Sequence, residues 1–167
     1  GARLALLIGV VSVVIGMTVA TVLGLLAGYF RGWTDRIIST IADIFLAFPA
    51  LLLLMSLTGF LDGKTLLGIT LTRKILVIGG LAILSIPTLV RIVRANTMVY
   101  AQREFVLAAR SLGARHGRIL LREVLPNVMP SLLAFSMTAL AVLITAEGGL
   151  AYVGYSVAPP ETTWGKL

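Results

Sequence analysis

The chain alternates between long uncharged stretches and short charged links. A membrane-crossing helix needs roughly 20 mostly apolar residues, and Leu4 to Tyr29 contains no charge at all. That segment predicts a first span. Gly16, Ala20 and Gly24 fall four apart within it, on one helix face, which predicts close packing against another helix. The second stretch, Ile37 to Leu61, contains Asp43 and Pro49. Pro49 predicts a kink. Asp43 lies near enough to the helix end to snorkel, to cap, or to pair with Arg36 or a neighbouring helix, and reads as a structural group at the interface. The third stretch starts near Ile75 and meets Arg91 and Arg94 at its far end. Gly79, Gly80 and Pro87 predict an irregular helix that extends as a basic helix to about Tyr100. The last stretch runs from Val124 to Ala146, is interrupted early by Pro126 and Pro130, and is ended by Glu147. Gly148 to Leu167 reads as an ordered loop or a short re-entrant piece.

Composition supports this reading. Hydrophobic residues make up 58% and charged residues 13% of the chain, and the mean hydropathy is +1.01. A soluble domain carries about 25% charged residues. A chain this poor in charge is covered in part by lipid. The fold class expected is therefore all-α, a polytopic bundle of about four transmembrane helices. There is no cysteine, which excludes disulfides and thiolate metal sites, and the single histidine, His116, cannot hold a metal alone. The net charge of +7 reads as topology rather than nucleic-acid binding. Arg31, Arg36, Arg91, Arg94 and the arginines between 103 and 122 share one side of the membrane. Arg3, Lys64, Arg73, Lys74 and Lys166 share the other. The arginine-rich side is predicted to be cytoplasmic. The chain begins without Met and reads as an excerpt of a longer protein.

The segment 101–122 carries the most chemistry. Gln102 to Gly113 reads QREFVLAARSLG, with Phe105, Ala108, Ala109 and Leu112 at i, i+3, i+4 and i+7 on one amphipathic face. Gly113 stands where a helix stop is expected. Arg115, Arg118 and Arg122 lie within helical reach of one face of a second short stretch, and Leu125-Pro126-Asn127 is predicted to break that pattern as the chain re-enters the membrane. A small, alanine-based face permits close approach by another protein, whereas lipid binding favours bulkier side chains. Docking to a partner, contact with lipid headgroups and a solvated basic loop all remain open on the residues alone.

Leu107 to Pro130, LAARSLGARHGRILLREVLPNVMP, resembles the cytoplasmic signature of the permease subunits of binding-protein-dependent ABC importers. Ala108, Ala109, Gly113, Leu125 and Pro126 match it. Leu107 replaces its leading Glu, and Glu123 stands where many relatives carry His. Glu104-Phe105-Val106 resembles the lead-in of the peptide-importer branch. Ala47-Phe48-Pro49 preceded by Asp43, and the tail Gly149 to Leu167 with Thr163 in place of Ser before Trp-Gly, resemble the dipeptide, oligopeptide and nickel permeases, the second permease subunit more than the first. The resemblance covers nearly the whole of 1–167. It implies a permease that lacks a first and a last span here, and a loop, 101–122, forming a coupling helix for an ATPase subunit. Glu104, Phe105, Ala108, Ala109, Arg110, Leu112, Gly113, Arg115 and Arg118 are its implied interface. The implied partners are two ATP-binding subunits, a second homologous permease and an extracytoplasmic substrate-binding protein. ATP and Mg would be used by the ATP-binding subunits, with no cofactor on this chain. The implied location is a bacterial or archaeal cytoplasmic membrane.

Nothing in the sequence resembles a phosphate-binding loop with its upstream glycine and terminal Lys-Ser or Lys-Thr. Gly63-Lys64-Thr65 lacks that glycine and lies on the non-cytoplasmic side. Hydroxyls and one acid along the spans, Ser56, Ser136, Thr138 and Glu147, are candidate contacts along a substrate path, although membrane hydroxyls more often bond to neighbouring helices or their own backbone. The expected cargo is a di- or oligopeptide, with nickel or another small solute as the alternative. Two readings of other classes are a secondary transporter or channel whose basic loop binds lipid, and a membrane scaffold without transport.

Overall fold

The computed structural model describes residues 2–66 and 69–155. Helix α1 (Ala2–Phe30) is followed by α2 (Gly32–Ala47) and α3 (Ala50–Leu61). A two-stranded antiparallel ribbon, β1 (Thr65–Leu66) with β2 (Ile69–Thr70), sits in the link, with Thr65 opposite Thr70. Then come α4 (Arg73–Tyr100), α5 (Glu104–Ser111), α6 (His116–Arg118), a π-helical turn (Ile119–Val124) and α7 (Leu125–Tyr152). Among the described residues, three helices are long and apolar enough to cross a membrane, or four if α2 and α3 form one broken span. The expected helical bundle is what is observed, with the small ribbon added at one end.

Close packing of α1 against α4 forms the centre. A Cβ on Gly24 would lie 2.5 Å from the Cβ of Val93, so the two backbones approach to a distance that only a missing side chain allows. Ser12 Oγ donates to the Ile78 carbonyl across the same seam at 3.1 Å. Helix α7 completes the bundle. Its Leu143 and Leu150 join Ile8, Leu54, Val77 and Leu81 in one apolar cluster, while Val128 and Leu132 join Leu25, Leu89, Val90 and Val93 in another.

Three expectations change. The second span is not a kinked helix but two helices meeting at 84°. Proline cannot donate to the helix ladder and pushes the residue before it into extended backbone, and Phe48 has φ −85° and ψ 134°. Second, Leu125-Pro126-Asn127 does not break the chain. Helix continues unbroken from His116 to Tyr152, because a π turn precedes Pro126, with the Leu125 N–H bonded to the Leu120 carbonyl, and absorbs the change in register that a proline inside a helix imposes. Third, α7 runs through Glu147 to Tyr152. The tail from 156 to 167, expected as an ordered loop or re-entrant piece, lies outside the described residues. Helix α4, by contrast, stays continuous through Gly79, Gly80 and Pro87 to Tyr100.

Candidate functional site

Helix α4 ends where the Ala101 N–H bonds the Thr97 carbonyl at 2.8 Å, and Gln102 and Arg103 close a turn onto Val99 and Tyr100. Helix α5 begins at once. Glu104 lies in its first turn and Arg110 in its last, each at the end whose partial charge it complements. The stop is a full Schellman motif. Gly113 N–H bonds the Arg110 carbonyl at 2.9 Å, and Ala114 N–H bonds the Ala109 carbonyl at 3.0 Å. Gly113 has φ +78°, the left-handed conformation that glycine adopts without strain. The Ala-Ala and Gly spacing thus has a physical basis. Ala109 supplies the carbonyl, Gly113 the left-handed turn, and Ala114 the N–H that closes it.

Helix α5 is not a free arm. Val106 is fully buried and joins the cluster of Leu25, Tyr29, Val93, Ile119 and Val124, so the helix is plugged into the end of the membrane bundle. A second tie lies beside it. The Tyr29 hydroxyl and His116 Nδ1 share a hydrogen bond at 2.8 Å, the rings of Tyr29 and Phe30 pack edge-on against His116, and the Arg110 guanidinium sits 5.4 Å from the centre of the Tyr29 ring. His116, alone in the sequence, is an integral part of this contact.

The predicted interface face divides on inspection. Glu104, Phe105, Ala108, Leu112, Gly113, Arg115 and Arg118 are exposed, and Leu112 is 89% exposed. Ala109 turns inward, half-buried against the bundle, and Arg110 leans on Tyr29 of its own chain. The outward apolar surface of α5 is therefore Phe105, Ala108 and Leu112, with Leu107 flanking. The inward surface is Val106 and Ala109. The candidate path residues are not brought together. Ser56 lies exposed on α3 in an open groove along α2 and α3. Ser136 lies in the groove between α1 and α7 and donates to the Leu133 carbonyl at 2.7 Å. Thr138 lines a cavity of 430 Å³ among α2, α4 and α7. Glu147 is 1% exposed within α7.

Two ion pairs at the same end of the bundle were not legible as pairs. Arg94 donates to both carboxylate oxygens of Asp35, which also accepts from Ser39 Oγ at 3.1 Å, and Arg91 donates to Asp43 at 2.5 Å. Asp43 thus pairs with a neighbouring helix, and Arg36 instead lies over Trp33. The available signal was the polar stripe Asp35, Ser39 and Asp43, at i, i+4 and i+8 along one face of α2. Among the described residues no group of side chains could hold a metal ion.

The chain is 36% identical over its whole length to the glutathione transport system permease protein GsiD of Pectobacterium atrosepticum and 38% identical to that of Escherichia coli O6:K15:H31. It spans about half the length of these curated relatives, 52% of each. Its fold is similar to that in inward-facing structures of the MetNI methionine ABC transporter, with a TM-score of 0.79, 22% identity, and coverage of 94% of this chain and 74% of that one. An amino acid ABC transporter crystallised with histidines aligns with a TM-score of 0.62 and 19% identity, over 94% of this chain and 72% of that one. Residues 20–167 match the model of binding-protein-dependent transport system inner membrane components, and the chain belongs to that family.

Proposed function

We propose that this chain is the membrane core of a permease subunit in an ATP-driven importer of small peptides. The carrying observation is the construction of α5. It is exposed on one apolar face, plugged into the bundle by Val106 on the other, and joined through Gly113 to a helix that continues unbroken into the membrane. Such an element passes a push from a partner directly to the spans. Phe105, Ala108 and Leu112 would seat in a groove of an ATP-binding subunit, with Arg115 and Arg118 facing acidic side chains there. ATP and Mg act in that subunit. ATP binding moves the spans only because it favours one of two arrangements over the other. A second, homologous permease would close the path, and an extracytoplasmic binding protein would deliver the cargo. The cargo class follows from the relatives, whose named substrate, glutathione, is a tripeptide.

The test is purification of the assembly from native membranes in mild detergent, with mass spectrometry of its companions, then uptake of labelled di- and tripeptides in proteoliposomes. Co-purification of ATP-binding subunits and ATP-dependent peptide uptake are expected. Ala108→Arg, on the outward face of α5, should uncouple ATP hydrolysis from uptake while the protein stays in the membrane. A permease that arrives alone and transports without ATP would place it among secondary transporters. Uptake of nickel but not peptide would overturn the cargo alone.

A further inference from the structure

Arg31 is the single non-glycine residue with positive φ among the described residues. Its φ of 54° and ψ of −160° place it in a region of backbone space that is essentially reserved for glycine and costs about 1–3 kcal/mol. It occupies the corner between α1 and α2, and Gly32 beside it has nothing within 4 Å of where a Cβ would stand. The strained corner directs a guanidinium into a cavity of 420 Å³ lined by Tyr29, Arg31, Ala101, Gln102, Leu107 and Arg110.

The electrostatics of that cavity are one-sided. It is lined by two arginines and no acid. Arg91, Arg94 and Arg73 each hold an aspartate, but among the described residues neither Arg31 nor Arg110 forms an ion pair. Arg31 donates to the Met98 carbonyl at 3.3 Å and faces the Gln102 amide oxygen, both neutral acceptors. Arg110 lies over the Tyr29 ring. Asp35, four residues beyond Arg31, has both carboxylate oxygens engaged by Arg94. Two guanidinium groups of like charge on one cavity wall repel each other unless an anion lies between them.

The position of the cavity indicates which anion. It lies at the end of α1, where Tyr29 and Arg31 meet Ala101 just past α4, and Trp33 follows two residues beyond Arg31. Trp33 is 76% exposed, as an aromatic side chain in the interfacial layer of a bilayer would be. Ala101 and Leu107 give the cavity an apolar edge beside its charged wall. Basic pockets between helices at this depth suit phospholipid headgroups. We propose that this cavity binds the phosphodiester of an anionic phospholipid, held by Arg31 and Arg110. The lipid would bridge the α1–α2 corner to α5 and so tie the docking helix to the leaflet. The site depends on membrane insertion alone and stands whether or not the chain couples to an ATPase.

The test uses the purified assembly in detergent, titrated in separate arms with short-chain phosphatidylglycerol, short-chain phosphatidylcholine and inorganic phosphate, with thermal unfolding as the readout. Phosphatidylglycerol should raise the unfolding midpoint, and phosphatidylcholine should not. Arg31→Gln and Arg110→Gln should each weaken phosphatidylglycerol binding about fivefold, the value of one basic residue near an anionic surface. Arg31→Gly should weaken it similarly while raising the lipid-free midpoint, because glycine removes the strain. That opposite pair of effects distinguishes a ligand site from a merely structural arginine. Equal lipid shifts in wild type and all three variants would overturn the proposal. A full shift with inorganic phosphate would assign the cavity to a free anion rather than a lipid. Variants that lose an ATP-binding subunit while keeping the lipid shift would assign it to a protein partner.

Discussion

Val106→Ala isolates the plug that seats α5. The valine side chain is fully buried among Leu25, Tyr29, Ile119 and Val124, at an end of the bundle where water competes for it. Two methyl groups are lost, at about 0.8 kcal/mol per buried carbon, and the small void adds to this. The total is about 2 kcal/mol. Helix α5 is short and bounded by turns, so the loss falls on its local docking equilibrium rather than on the whole fold. A loss of about 2 kcal/mol makes undocking about 30 times more frequent. Amide hydrogen exchange in α5 should accelerate by that factor, while α1 and α4 remain protected. Leu112→Ala is the internal control. Leu112 is 89% exposed, so exchange should not change, although association with an ATP-binding subunit should weaken. In proteoliposomes, Val106→Ala should raise the ATP consumed per peptide imported. An exchange rate within a few-fold of wild type would refute the plug. Faster exchange with an unchanged ATP-to-peptide ratio would refute the idea that a firmly seated helix is needed for transmission.

Gly113→Ala forces a Cβ into left-handed backbone and should destabilise the α5 stop by about 1 kcal/mol, seen as faster exchange at the Ala114 amide that closes the turn; no effect would show that the Schellman turn is not under conformational constraint. Gly24→Ala meets Val93 at 2.5 Å and should lower the unfolding midpoint by prising α1 from α4, whereas Gly79→Ala, with nothing within 4 Å, should raise it slightly through helix propensity. Asp35→Arg should weaken the hold of α2 on α4, and Asp35→Arg with Arg94→Asp should restore it. Because the chain has no cysteine, the cross-linking yield of an introduced 43–91 cysteine pair reports on that hold directly.

The bundle was legible because its signal is one-dimensional. A run of more than twenty uncharged residues leaves a chain few options in water, and Leu4 to Tyr29 could be read without knowing its neighbours. The glycine stripe was equally plain, since i, i+4, i+8 places a face wherever the partner lies. The ties at the end of the bundle that carries α5 were different. Tyr29 meets His116 across 87 residues and Asp35 meets Arg94 across 59, and no local period encodes such a pairing. Helix α5 shows a subtler failure. Its heptad-like stripe of Phe105, Ala108, Ala109 and Leu112 was read as one outward face. The helix has two apolar faces, and Val106, about 100° round the helix from Phe105, holds the one turned to the bundle. Likewise Pro126 looked like a break because proline usually is one, yet the π turn before it lets the helix run through.

The distribution of ties also separates what moves together from what need not. Helices α1 and α4 are locked by backbone approach at Gly24, α5 is plugged into both by Val106, and α2 is held to α4 by Asp35 and Asp43. A displacement of α5 therefore arrives at the lower half of all three helices as a single body. The weak level lies above. At Phe48-Pro49 the helix ladder of the second span is interrupted, and Pro87 removes a donor from α4. Phe48, Ala50 and Pro87 all line the same 430 Å³ cavity, with Thr138 of α7 opposite. Proline and a broken ladder are where helices bend. Bending at that level would leave the lower body intact and change the shape of this cavity in particular. The polar wall it offers is small, Ser85, Thr88 and Thr138, and Ser85 already donates to the Ala82 carbonyl at 2.8 Å. A cavity so apolar offers few groups by which to tell one polar solute from another.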